Sequence, residues 1–251
     1  EAVREMIHKI VRREGLGDIL AEGVLRAIEQ IGEESAYYAI QVKGQFNVHS
    51  DERATPALAL GIATATRGAD HLRSRPTIDF YHLPPEVLEN IFGGPVSSEF
   101  TSYDGKSREI WFAELLYAIV DAMGICKFQT KVILSPSTPG FEEYSELIYN
   151  ITGLEISPSD LKEIGERIYT LERMFNIREG KSRKDDYMPE RYYVEETKDG
   201  VDGVRGVKLD RKKFDQMLDE YYELHQWDND GNPRPGILEK LGLDKEPSHM
   251  L

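Results

Sequence analysis

Residues 55–66 read Thr-Pro-Ala-Leu-Ala-Leu-Gly-Ile-Ala-Thr-Ala-Thr, a run of small and apolar side chains without a charge. Pro56 suits the first position of a helix, where its missing N–H costs nothing. A helix with no polar face must be buried on most sides, and its small side chains let neighbours approach closely. The chain must therefore supply other elements to wrap this one.

Those elements are mostly helical. Val3, Met6, Ile7, Ile10 and Val11 share one face of a helix over 1–14, broken by Gly15 and Gly17. Asp18 is placed to cap a second helix carrying Ile19, Leu20, Val24, Ala27, Ile28 and Ile31, closed by Gly32. Tyr38 to Gly44 alternates weakly and suits a short strand. Pro84-Pro85 opens a short helix that Gly93-Gly94-Pro95 ends, and 96–105 reads as a loop. A strong helix is expected over 106–123, stopping at Gly124. Another runs from Phe141 to Ile151, closed by Gly153. Ser157-Pro158-Ser159-Asp160 combines a cap, a first-turn proline and a first-turn carboxylate, opening a helix to about Ile177. Residues 178–209 are charged and weakly patterned, which predicts a long surface excursion. Asp210 caps a last long helix with Phe214, Met217, Leu218, Tyr221, Tyr222 and Leu224; Asp228 to Gly231 turns the chain into a short helix over Pro235–Leu241. The fold class is mainly α, an irregular multi-helix domain with little strand.

The 251 residues suffice for one large domain or two small ones. A net charge of −14 opposes binding to a phosphate backbone, so nucleic acid is excluded as a general partner. No apolar run reaches the roughly 20 residues of a membrane span, and no signal peptide stands at the start. One cysteine in the whole chain fits a reducing, cytoplasmic compartment. The first residues, Glu1-Ala2-Val3-Arg4-Glu5, lack an initiator Met and already read as helix interior, which makes an excised C-terminal fragment the simpler expectation.

Two constellations carry chemistry. The first is Asp121-x-x-Gly124-x-Cys126. A lone cysteine forms no internal disulfide and holds no metal cluster unaided. On composition it is a small buried hydrophobe. Alternatively, Gly124 turns the backbone so that Cys126 leaves the helix to meet a metal, with nearby backbone amides facing a cofactor and Asp121 accepting hydrogen bonds from an N–H-rich heterocycle such as a pterin. The second is Arg67-Gly68-Ala69-Asp70-His71-Leu72-Arg73. Three charges and a histidine within seven residues follow directly on the small-residue helix. An exposed, solvated turn explains them equally well on spacing alone. His71 is the best-placed group titrating near neutrality, and Arg73 is a natural phosphate clamp. His8, His49, His82, His225 and His249 are scattered. Glu5-x-x-His8 has metal-ligand spacing but no second such pair to complete a di-metal bundle. Phosphate-loop, dinucleotide and Gly-x-Ser-x-Gly signatures are missing from the sequence. The Tyr37-Tyr38, Tyr192-Tyr193 and Tyr221-Tyr222 pairs suit core and rim.

Taken in order, Gly15-Leu16-Gly17-Asp18-Ile19-Leu20-Ala21-Glu22-Gly23, Lys43-Gly44 with Asp51-Glu52-Arg53, Leu60 to Arg73, Asp121-Ala122-Met123-Gly124-Ile125-Cys126, Met188-Pro189-Glu190-Arg191-Tyr192 and Leu218 to Leu224 resemble the tungsten-dependent aldehyde ferredoxin oxidoreductase family over nearly the whole chain. Met188 and Tyr192 depart from the family's Leu-Pro-Glu-Arg-Phe. The resemblance implies that Cys126 is the last ligand of a 4Fe–4S cluster and that Asp121 and Ile125, with Gly124 between them, contact a pterin. It implies His71 in proton transfer or substrate orientation beside a tungsten (or molybdenum) bis-pterin, and Arg73 on the pterin phosphate or ring. The implied reaction oxidises a small aldehyde to a carboxylic acid and passes electrons to ferredoxin. The family's N-terminal pterin domain, its other cluster cysteines and its catalytic Glu have no counterpart here, so the chain matches the C-terminal helical region. Residues 1–55 are assignable to a preceding helical domain and 56–251 to the last one, with self-association left open. Isolated, such a chain is expected to be inactive. The same family includes the tungsten subunit of class II benzoyl-CoA reductases, which would substitute ring reduction of an aromatic thioester, with Asp79 to His82 on the substrate side in either case. A non-catalytic helical interaction module is the reading from another class; it expects Cys126 buried and inert.

Overall fold

The hydrophobic patterning condenses around one helix. In a computed structural model, which describes residues 1–47, 51–133, 135–199 and 204–245, helices α1 (Ala2–Arg12), α2 (Leu16–Ala21) and α3 (Val24–Ile31) lead into a two-stranded antiparallel hairpin, β1 (Gln41–Val42) and β2 (Gln45–Phe46), with Gln41 opposite Phe46. There follow α4 (Pro56–Thr64), α5 (Pro85–Phe92), α6 (Lys106–Met123), α7 (Phe141–Thr152), α8 (Pro158–Arg178), α9 (Arg191–Val194), α10 (Arg211–Leu224) and α11 (Pro235–Leu241). Mainly α with little strand is the class expected. His49 and His249 lie outside the described residues.

Helix α6 is the axis. Its residues are buried on both sides from Ile110 to Val120, save the half-buried Trp111. One side packs with α4, α8 and α10 into a core of Leu60, Ile62, Ile110, Tyr169, Phe214, Leu218, Tyr221 and Trp227. The other packs with α5, α7 and α8 around Phe92, Phe112, Leu116, Phe141 and Leu161. Every residue of α4 is buried, as its lack of a polar face requires. α6 and α8 approach so closely at Gly165 that a Cβ there would lie 2.7 Å from the Leu115 carbonyl oxygen. A smaller core under α11 joins Met174, Ile237, Leu241 and Leu243.

Local caps set the ends of the long helices where the sequence places them. Ser157 Oγ accepts from the Asp160 N–H (3.1 Å) while Asp160 accepts from the Ser157 N–H (2.9 Å). Asp210 accepts from the Lys212 and Lys213 amides. Two expectations are corrected. The helix expected from Asp18 to Ile31 is two, because Gly23 at φ 86° breaks it; Gly15 rather than Asp18 stands at the N-cap, and Asp18 pairs with Arg13. The segment after α8 is a surface excursion only in part: Glu179, Lys184 and Lys198 are exposed, but Asp186, Met188, Tyr192 and Tyr193 are buried against α10 and the hairpin. Asp186 receives Lys43 (2.8 Å), Arg173 (2.7 Å) and the Tyr222 hydroxyl (2.6 Å), an anchorage that offsets its desolvation.

Candidate functional site

The site grows from the C-terminal end of α6. Gly124 adopts φ 70°, the left-handed conformation open to glycine at little cost. The Gly124 N–H returns to the Asp121 carbonyl (3.1 Å) and the Ile125 N–H to Val120 (2.8 Å), closing the helix. The chain then runs extended through Cys126 into a 3-10 turn over Lys127–Gln129, held by the Gln129 N–H on the Cys126 carbonyl at 2.9 Å. Ile125 tucks against the α5–α7 core, whereas Cys126 is exposed and Phe128 beside it is 58% exposed. Composition alone favours a buried thiol; the Gly124 turn instead presents it at the surface.

Asp121 does not swing freely. Lys127 Nζ holds one carboxylate oxygen at 2.5 Å and Arg73 Nη1 donates to the other at 3.3 Å. Arg73 comes from the other constellation, a 3-10 turn over His71–Arg73 opened by Asp70, which accepts from the Leu72 N–H at 2.8 Å. The Arg73 guanidinium lies over the Tyr169 ring at 5.3 Å, and its Nη2 donates to Glu172 at 2.5 Å, where Thr66 also donates at 2.5 Å. Burial opposes the charge of Arg73, but Tyr169, Glu172, Glu114 and Asp121 outweigh it and hold its pKa above the ordinary value. Its Nε is buried without a partner among the described residues.

The 67–73 stretch thus divides. Arg67 and Asp70 form the solvent-facing pair that a plain turn would make, at 2.7 Å, while Arg73 turns inward and is only 4% exposed. His71 is half-buried. Burial and the nearby Arg75 push its pKa down against the pull of Asp70, which favours the neutral ring near pH 7, and its Nδ1 is buried without a partner among the described residues. The Arg73–Asp121 bond therefore joins the two constellations across 48 positions of chain. His71 is tied to them through its own turn, where its carbonyl accepts the Arg75 N–H at 2.9 Å.

Behind Arg73 lies a network that sequence reasoning missed. Glu114, fully buried in α6, accepts from Tyr169 and Tyr221 hydroxyls, each at 2.8 Å. His225 sits between Glu114 (3.4 Å) and Glu166 (2.6 Å) and stacks on Trp227 with ring centroids 4.4 Å apart. Trp111 Nε1 donates to Glu166 at 3.0 Å. Burial alone would lower the His225 pKa; the two carboxylates win and raise it to about 9. The signal was present in part, since a carboxylate at 114 within the otherwise apolar run 110–120 needs a buried partner. A second such knot joins Lys106 to Asp79 and Glu109, where burial and Asp79 push the Glu109 pKa to about 8. No group of three His, Cys, Asp or Glu side chains suited to a metal occurs among the described residues.

Fold and site together define a helical module with an exposed thiol at Cys126 and, five residues before it, a carboxylate anchored by two cations. Residues 1–243 match the family described as aldehyde ferredoxin oxidoreductase, domains 2 & 3, and the chain belongs to that family. It is 33% identical over 98% of its length to a tungsten-containing aldehyde ferredoxin oxidoreductase of Pyrococcus horikoshii, covering 37% of that protein. It is 32% identical over 97% of its length to the WOR-like subunit of an aliphatic sulfonate oxidoreductase of Pyrococcus furiosus, covering 35% of it. Among solved structures, the active-site complex BamBC of benzoyl coenzyme A reductase, in complex with 1,5-dienoyl-CoA, superposes with a TM-score of 0.72 at 25% identity, covering 95% of this chain and 38% of that one. The chain thus spans somewhat over a third of the length of these relatives. No helix among the described residues is long and apolar enough to cross a membrane.

Proposed function

We propose that this chain is the C-terminal helical part of a tungsten-dependent oxidoreductase that oxidises aldehydes to carboxylic acids, with residues 1–55 belonging to a preceding helical domain and 56–251 to the last. The observation that carries this reading is the exposed Cys126, delivered by the Gly124 turn beside an Asp121 fixed from both sides. The residues present fit one side of the implied group. Cys126 suits the last ligand position of a 4Fe–4S cluster, and the other three ligands must come from outside this chain, which has no further cysteine. Asp121 has the acceptors to take N–H groups of a pterin, with Gly124 and Ile125 offering backbone beside it. Arg73 Nε and His71 Nδ1 are buried without a hydrogen-bond partner among the described residues, which leaves each able to meet a polar group of a ligand. A tungsten bis-pterin centre supplies two-electron aldehyde oxidation, and a 4Fe–4S cluster relays the electrons to ferredoxin.

The chain's own part is binding, orientation and proton management. His71, held toward its neutral form, has a ring nitrogen without a partner among the described residues, able to take a proton from the substrate side or to orient the carbonyl. Asp121 keeps a fixed carboxylate against the cofactor edge. By itself the chain supplies a single cluster ligand, so it is expected to turn over no aldehyde.

The likeness to the benzoyl coenzyme A reductase complex favours one second reading, reduction of an aromatic CoA thioester. Purified full-length subunit, assayed for reduction of ferredoxin by short and aryl aldehydes and for electron transfer to benzoyl-CoA, separates the two. Aldehyde-dependent ferredoxin reduction supports the first; activity confined to the thioester replaces it.

A further inference from the structure

A different job suits Arg73, whose side chain joins the two constellations. Its guanidinium is buried and committed: one terminal nitrogen to Asp121 at 3.3 Å, the other to Glu172 at 2.5 Å, its face on Tyr169 at 5.3 Å. With both terminal nitrogens engaged by carboxylates of this chain and Nε alone without a partner among the described residues, the guanidinium is built into the protein more than it is offered to a ligand. What it can do is fix Asp121. From Thr66 the chain of contacts runs to Glu172, Arg73, Asp121 and Lys127, so that α8, the 3-10 turn after α4 and the end of α6 are tied at one point. Lys127 lies one residue beyond Cys126 and also sits over the Tyr117 ring at 5.8 Å. The turn that presents Gly124, Ile125 and Cys126 is thus bracketed by Asp121 on one side and Lys127 on the other, and these two are bonded to each other.

We infer that Arg73 and Glu172 are positioning residues: Glu172 orients Arg73, and Arg73 with Lys127 locks Asp121 so that the Asp121–Cys126 turn meets the cofactors in one geometry. This rests on the reading of Cys126 and Asp121 above, and goes beyond it by giving a role to Glu172 and changing that of Arg73. Partners of metal-site residues of this kind, when removed, weaken metal retention by about 10–100-fold.

The test uses full-length, cofactor-loaded subunit. Arg73→Lys keeps the charge but loses the planar guanidinium that puts Asp121 and Glu172 on separate nitrogens, and Glu172→Gln keeps the shape but loses the charge. Lys43→Met breaks an ion pair with Asp186 that is more deeply buried and does not touch Asp121. Three readouts are compared: thermal midpoint, the electron paramagnetic resonance spectrum of the reduced cluster, and iron loss to a chelator. The inference expects Arg73→Lys and Glu172→Gln to alter the spectrum and release iron about tenfold faster or more. Lys43→Met is expected to lower the thermal midpoint while leaving spectrum and iron release as in the wild type. Unchanged spectra in both site variants, or the same spectral change in Lys43→Met, overturn it. A wild-type subunit that carries neither cluster nor tungsten overturns instead the functional reading on which the inference rests.

Discussion

At the scale of single residues, the decisive fact is that Cys126 is exposed while the aspartate five positions before it is fixed. Exposure follows from Gly124, whose left-handed turn points the chain outward at the end of a buried helix. In subunit stripped of metal, an alkylating reagent is expected to modify Cys126 without denaturant, and Gly124→Val is expected to slow it by distorting the turn; protection of the thiol in the folded, metal-free protein would contradict the placement. The Asp121–Gly124–Cys126 pattern could be read from sequence because its geometry is local. The partners of Asp121 could not. Arg73 lies 48 positions from it in the chain, and Glu172, which holds Arg73, lies 51; nothing in a linear pattern says which cation closes on which carboxylate.

At the scale of elements, two claims are open to measurement. Gly165 brings α8 against the α6 backbone, so Gly165→Ala must push a methyl into the Leu115 carbonyl. A loss of about 1–3 kcal/mol in unfolding free energy is expected, read from the denaturant midpoint, although alanine is the better helix former. The second concerns His225. Its folded pKa, about 9, stands above the ordinary value of 6.5. A raised folded pKa means that its stabilisation is complete below about pH 6.5 and is lost as pH rises through about 9. The raised carboxyls Glu109 and Glu114 act with the same sign. Stability should therefore fall between neutral and pH 9. His225→Leu strands Glu114 and Glu166 without their shared cation and is expected to cost about 3–5 kcal/mol. A flat stability profile across that range would dismiss the charged network. Element ends were legible wherever a cap decided them, as at Ser157, Asp210 and Gly124. The 178–209 stretch was not, because the burial of Tyr192 and Tyr193 depends on α10 and the hairpin, which no local window contains.

At the scale of the molecule, the uncharged, wholly buried α4 and the doubly buried α6 account for the architecture, and the sequence declares the first of these openly. The second is concealed by Glu109 and Glu114, whose charges disguise a helix buried on both faces. The N-terminal helices are the counterpart: Val3, Ile7 and Val11 form an apolar stripe on α1, where no residue is buried. That stripe leaves α1 with an uncovered apolar face, on a chain that spans about 37% of the length of its aldehyde ferredoxin oxidoreductase relative from Pyrococcus horikoshii. The central claim is that Cys126 is one ligand of a cluster completed from outside this chain. Metal analysis and electron paramagnetic resonance of full-length subunit, wild type against Cys126→Ser, test it most directly. The account predicts tungsten with one 4Fe–4S cluster per wild-type chain, and loss or conversion of that cluster in Cys126→Ser with tungsten retained at first isolation. An intact, spectroscopically unchanged cluster in Cys126→Ser would contradict it.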